Sequence, residues 1–225
     1  MMLTADRFAL LRRPRWAGAF ALAALVVVSI GVIDKPLTLW LHANISQTDY
    51  GFWRSVSKIG EAGVWYILAV GMLAVSEVRR RLAWTLTGAA EQLRRVRAWG
   101  FMVLSMLLSG ALIHVVKFTT GRIRPEDMLN TDTPLYGFYP FSGEQSFPSG
   151  HSQAIFSAMV ALGILFPRHR WWFIGIASLV AFSRVATYQH FLSDIIAGSA
   201  IGVLVTLGLA RKFSKKAPLR LGKKP

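Results

Sequence analysis

FPSGHSQAIFSAMVALGILF, residues 147–166, is 20 residues long, the length a helix needs to cross the hydrocarbon of a bilayer. It opens on Pro148, Ser149, Gly150 and His151 and then runs mostly apolar to Phe166. An ionisable group at the edge of a membrane segment is costly and is a functional candidate by default. One stretch therefore points both to a transmembrane helix and to chemistry at its mouth.

Five more apolar stretches surround it, at residues 17–33, 62–76, 99–116, 171–188 and 191–210. The second is only 15 residues between Glu61 and Glu77, and the last two are interrupted by Arg184, His190 and Asp194. Counting all six predicts an all-α integral membrane bundle of six transmembrane helices. The 225 residues, 53% of them hydrophobic, then form a single membrane domain. Its catalytic core is expected at about 99–210 and a basic cytoplasmic tail at about 211–225. Short interfacial helices are expected in two connections. Residues 34–61 carry Trp40 and Trp53, and residues 77–97 place Leu82, Leu86, Leu93 and Val96 at helical spacing among arginines. Trp16, Trp65, Trp99, Trp171 and Trp172 fall near expected span ends, where they serve as interfacial anchors. With no cysteine the chain has neither disulfides nor thiolate chemistry.

Charge sets the orientation. A net charge of +15 could suggest nucleic acid, but its placement argues for a bilayer partner and no nucleic acid. The segments assigned inside, from Arg7 to Arg15, Arg79 to Arg97, Arg168 to Arg170 and Arg211 to Lys224, hold 19 Lys and Arg. Seven remain outside: Lys35, Arg54, Lys58, Lys117, Arg122, Arg124 and Arg184. The positive-inside rule then places both termini in the cytoplasm. The first span follows four arginines without a small-x-small cleavage site, so it reads as an uncleaved span.

With that orientation three polar clusters share the outer face: KFTTGRIRP at 117–125, PSGH at 148–151 and SRVATYQHFLSD at 183–194. Lys117, Arg124 and Arg184 can surround a phosphate, Arg with a planar fork and Lys with a point charge. Ser149 and Gly150 open a helix whose free N–H groups make an anion site, and His151 sits in its first turn, placed to protonate a departing oxygen. The plainer reading of Ser149 is a helix cap. His190 and Asp194 are four apart, one helical turn, so the carboxylate can orient the imidazole as a nucleophile. The plainer reading of Asp194 is a carboxylate at a helix start, where the dipole favours it.

Arg122 reads as an interfacial loop arginine, His114 as a packing histidine, and His42 and His169 as surface residues. Glu126, Asp127 and Asp132 read as solvated loop residues. Tyr136, Phe138, Tyr139, Phe141 and Phe147 make an aromatic lip suited to a phosphate head with an acyl or isoprenyl tail.

Taken together, Lys117 with Arg124 and Pro125, then Pro148-Ser149-Gly150-His151, then Ser183, Arg184, His190 and Asp194 resemble the signature of the type 2 phosphatidic acid phosphatase superfamily. All three parts match in order and spacing. The resemblance covers residues 117–210 and implies a six-span helical core. It implies His190 as the nucleophile forming a phosphohistidine, Asp194 as its orienting group, and His151 as acid and then base. It also implies Lys117, Arg124, Ser149, Gly150 and Arg184 as phosphate ligands, with no metal or other cofactor. The expected activity is hydrolysis of a lipid phosphate monoester or diphosphate at the outer face of a bacterial inner membrane. Candidate substrates are phosphatidic acid, phosphatidylglycerol phosphate, undecaprenyl diphosphate and lipid A. Opposite protonation needs for His190 and His151 give a bell-shaped pH profile. A phosphotransferase with the same site stands as the alternative, followed by a non-catalytic phospholipid-binding or transport protein. A soluble vanadate-dependent haloperoxidase shares such a site but not these apolar stretches. Oligomeric state is not legible.

Overall fold

The computed structural model describes residues 15–130, 136–143 and 145–214. Arg7, Arg12, Arg13, Asp132 and the tail from residue 215 onward lie outside the described residues. The fold is all-helical. In chain order come α1 (Arg15–Val28), a five-residue π turn (Ser29–Ile33), α2 (Asp34–Asn44), α3 (Gln47–Lys58), α4 (Ala62–Arg81) and α5 (Leu86–Thr120). Then follow α6 (Pro125–Asn130), α7 (Gly150–Leu165), α8 (Arg170–Ala186) and α9 (Leu192–Ser214).

Helices stand at all six expected positions. Four helical segments among the described residues are long and apolar enough to cross a membrane: Ala17–Asn44, Gln47–Arg81, Leu86–Thr120 and Leu192–Phe213. α7, with 16 residues, and α8, with 17, are shorter. Residues 34–61 hold helices, as expected, namely α2 and α3, and the first helix continues through the π turn into α2. α3 then leads into α4, started by a capping box in which Ser46 and Asp49 satisfy each other's N–H groups. The stretch 77–97 expected as one amphipathic helix is split: residues 77–81 end α4 and residues 86–97 open α5. At 35 residues α5 is about 52 Å long and overreaches a hydrocarbon core of about 30 Å. Its end is a glycine stop: Gly121 takes φ +56°, and a Cβ there would lie 1.8 Å from the Tyr139 carbonyl oxygen.

α7 is the central helix, in contact with α4, α5, α8 and α9. Ala154, Ile155, Ala158, Met159, Ala161 and Leu165 are all buried, as expected for a helix apolar on every side. α9 approaches it closely through small residues. A Cβ on Gly198 would stand 2.3 Å from the Ser149 carbonyl oxygen, and one on Gly202 would stand 2.6 Å from that of Gln153. Polar side chains bind the same seam: the Ser109 and Ser157 hydroxyls meet at 2.7 Å, and Gln153 Nε2 donates to Ser109 at 2.6 Å. Gly198→Ala is expected to cost about 1–3 kcal/mol by overpacking. It should also displace Ser149. Thermal unfolding in detergent measures the first effect and a structure of the variant the second.

Candidate active site

The start of α7 is fastened to both other clusters by backbone. Ser149 N–H donates to the Asp194 carbonyl at 3.0 Å, and Ser146 N–H to the Arg122 carbonyl at 2.9 Å. The turn between α8 and α9 is tight: the Gln189 and His190 N–H groups both donate to the Arg184 carbonyl at 3.1 Å. Tyr188, one of two described non-glycine residues with positive φ, takes φ +56° there. A non-glycine residue in this region is strained, and such strain concentrates at functional sites. Tyr188 is held by its hydroxyl on the Leu41 carbonyl at 3.2 Å and by the rings of Tyr50 and His42. His151 lies within electrostatic reach of Arg184, His190, Lys117 and Arg124. The three clusters thus meet in one place. Gly60, preceding α4, abuts the same spot, since a Cβ on it would come 3.6 Å from His151 Cδ2.

His190 is 2% exposed. It does not share a helix face with Asp194, as the spacing suggested, because α9 begins only at Leu192. The preceding turn brings the two together instead, with Nδ1 3.7 Å from Asp194 Oδ2. That is beyond hydrogen-bond range, and Nδ1 has no other hydrogen-bond partner among the described residues. Burial, partly opposed by the Asp194 carboxylate and reinforced by Arg184 and Lys117, pushes the imidazole pKa down to about 4. The ring is therefore neutral at neutral pH. Asp194 Oδ2 accepts from Ser146 Oγ at 2.6 Å and from the Phe191 N–H at 2.8 Å. It is both the helix-start acceptor and the group facing His190.

The phosphate ligands expected from sequence surround this pair. Lys117, in the last turn of α5, is buried and donates to the Gln145 carbonyl. Arg124 is half-buried and donates to Gln189 Oε1 at 3.0 Å. Arg184 donates through Nη1 to Ser57 at 2.7 Å, while its buried Nε has no partner among the described residues. Ser149 caps α7, accepting from Ser152 N–H at 3.4 Å and Ser152 Oγ at 3.0 Å, so its own proton remains to donate. Gly150 keeps the backbone accessible, its nearest side-chain neighbour being Lys117 Cε, 3.9 Å from where a Cβ would stand. Cations and helix-start N–H groups converging on a buried imidazole can bind a phosphate and stabilise charge on its oxygens.

Arg122 is a correction. It is not an interfacial arginine but a fully buried one, 1% exposed. Nη1 lies 2.5 Å from Asp194 Oδ1 and 2.6 Å from Ser193 Oγ, and Nη2 lies 2.8 Å from Asp34 Oδ2 and 3.1 Å from the Tyr136 hydroxyl. The Phe191 ring lies 4.3 Å and the Phe138 ring 5.0 Å from Cζ. Burial works against its charge, but Asp194 and Asp34 outweigh it and hold the pKa above the ordinary value. Tyr136 therefore belongs to this network rather than to the outer lip, where Phe138, Tyr139 and Phe141 are exposed. His114 is exposed, not packed, whereas His42 and His169 are exposed as expected. Glu126 is exposed and accepts from Gln189 Nε2 at 2.5 Å. Among the described residues no group of three or more His, Asp or Glu could hold a metal ion. Sequence reasoning missed Asp34, Ser57, Ser146, Gln189 and Ser193, single residues in no recognisable spacing.

The family model of the PAP2 superfamily matches residues 98–218. A lipid A 1-phosphatase of Rhizobium johnstonii is 36% identical over 118 residues, 51% of this chain and 48% of that protein. The chain thus spans about half the length of that relative. An undecaprenyl-diphosphatase of Sulfolobus acidocaldarius is 29% identical over 153 residues, 66% of this chain and 72% of the other. The crystal structure of a transmembrane PAP2-type phosphatidylglycerolphosphate phosphatase from Bacillus subtilis superposes with a TM-score of 0.59 at 19% identity. It covers 88% of this chain and 96% of its own, a likeness of fold.

Proposed function

The chain belongs to the PAP2 superfamily, and we propose that it is a membrane lipid phosphatase acting through a phosphohistidine. The observation that carries this reading is the meeting of His190 and His151 with Lys117, Arg124 and Arg184 in one place. The substrate class is a lipid phosphate monoester or diphosphate, in keeping with the lipid phosphates named for the relatives. The exposed Phe118, Phe138 and Phe141 would meet its apolar tail.

In the first step the free nitrogen of His190, Nε2, attacks phosphorus, and the bond from phosphorus to the lipid oxygen breaks. His151 gives its proton to that oxygen. The Asp194 carboxylate, 3.7 Å from Nδ1, stays ionised and offsets the positive charge on the ring. In the second step His151 takes a proton from water, whose oxygen displaces His190, and inorganic phosphate leaves. Lys117, Arg124, Arg184, Ser149 and the Gly150 N–H hold the three equatorial oxygens. Six helices form the bundle, both termini are cytoplasmic and the site faces the exterior of a bacterial inner membrane. The chain is a single domain with its catalytic core at about 99–210.

Purified protein is expected to release inorganic phosphate from at least one of phosphatidic acid, phosphatidylglycerol phosphate, undecaprenyl diphosphate and lipid A, with chelator present. His151→Ala is expected to slow release by about 100- to 10,000-fold. No release from any of the four would end the reading, and loss of release on adding chelator would end its metal independence.

A further inference from the structure

The Arg122 network contains a residue from far outside the three clusters. Asp34 lies outside the family-matched residues 98–218, at the first position of α2, yet it is 1% exposed. Its Oδ2 accepts from Arg122 Nη2 at 2.8 Å and from the Ser193 hydroxyl, and its Oδ1 accepts the Ser193 N–H at 3.0 Å. The π turn sets this aim. Asp34 N–H donates to the Ser29 carbonyl, five residues back, and the Ile30 carbonyl accepts the Tyr136 hydroxyl at 2.5 Å. Such single π turns recur at functional sites because they redirect the following side chain.

The charges explain why a second acid is useful. An Arg122–Asp194 pair alone is net neutral, and at His190 its positive end would cancel much of the carboxylate's field. With Asp34 holding the other Nη, two carboxylates share one guanidinium, and the ionised trio carries one net negative charge. That charge favours the imidazolium-like ring that develops when His190 takes up a phosphoryl group.

We propose that Asp34 is a positioning residue for the phosphatase reaction, drawing Arg122 toward itself so that Asp194 keeps its negative charge for His190, and thereby tying the first helix to the catalytic centre. The inference rests on the phosphatase reading above. Asp34→Asn, nearly isosteric but uncharged, lowers kcat by about 10- to 100-fold, the scale on which outer partners of a reactive group act, here through Arg122 and Asp194. KM for the lipid phosphate stays within about two-fold of the original value. Asp34→Glu keeps the charge but fits worse, and it retains more activity than Asp34→Asn. A merely structural clamp gives the opposite order, since asparagine preserves the shape, and that order overturns the proposal. If Asp34→Asn is not recovered as monodisperse protein, Tyr136→Phe reads the same arrangement, because it removes the hydroxyl that joins Arg122 Nη2 to the Ile30 carbonyl of the π turn without removing a charge. A several-fold fall in kcat at constant KM supports the proposal, and an unchanged kcat overturns it. Phosphate release at full rate by Asp34→Asn sinks this inference alone. No release by the unsubstituted protein sinks the phosphatase reading and the inference with it.

Discussion

Alanine at position 190 lowers phosphate release by about four or more orders of magnitude, the scale on which loss of a nucleophile is felt. The reason is local. His190 is the imidazole facing a carboxylate at 3.7 Å, and its burial leaves it neutral. In the proposed mechanism alanine removes the atom that accepts the phosphoryl group, while the backbone bond to the Arg184 carbonyl survives. The variant should fold, so a matched unfolding temperature in detergent accompanies the loss. The pH dependence of the unsubstituted protein tests the same assignment. Attack needs the neutral ring, which persists down to a pKa of about 4. The acid limb of kcat/KM therefore lies near pH 4, well below the ordinary histidine value of about 6.5. Activity falls as pH drops through that point. A limb at the ordinary value would show that His190 is not the titrating base, and near-native turnover by His190→Ala would remove it as nucleophile.

Arg122→Met has the largest expected effect on stability. The substitution removes the one cation between Asp34 and Asp194, both fully buried and both bound to it. Breaking a buried pair on one side costs about 3–5 kcal/mol, because the remaining charge is stranded in a low dielectric. Here two carboxylates are stranded and repel each other. Methionine fills the space among Tyr136, Phe138 and Phe191, so the loss is electrostatic rather than a cavity. Arg124→Met is the contrast: that side chain is half-buried and donates to Gln189. Its replacement raises KM but leaves the unfolding temperature nearly unchanged. Equal unfolding temperatures for the two variants would show that the buried network does not stabilise the fold.

Two arginines two residues apart thus have opposite lives, and their types do not distinguish them. The apolar helices were legible because an apolar run is continuous in sequence whatever packs beside it. The expected starts at 62, 171 and 191 fall within a residue of the helices found. Lys117, Arg124, Ser149, Gly150, His151, Arg184, His190 and Asp194 could be singled out as candidates because each cluster is short and close to a helix end. Arg122 and Asp34 were not. Their contacts cross 72 and 88 residues of chain, and what turns Arg122 inward is the left-handed Gly121 and the bridge to Phe138. Composition and local spacing, which bilayer and helix geometry constrain residue by residue, determined the apolar helices and the candidate site residues. Which charge is buried, and which acid answers it, depends on the path of the backbone between helices, and only the tertiary structure decided that.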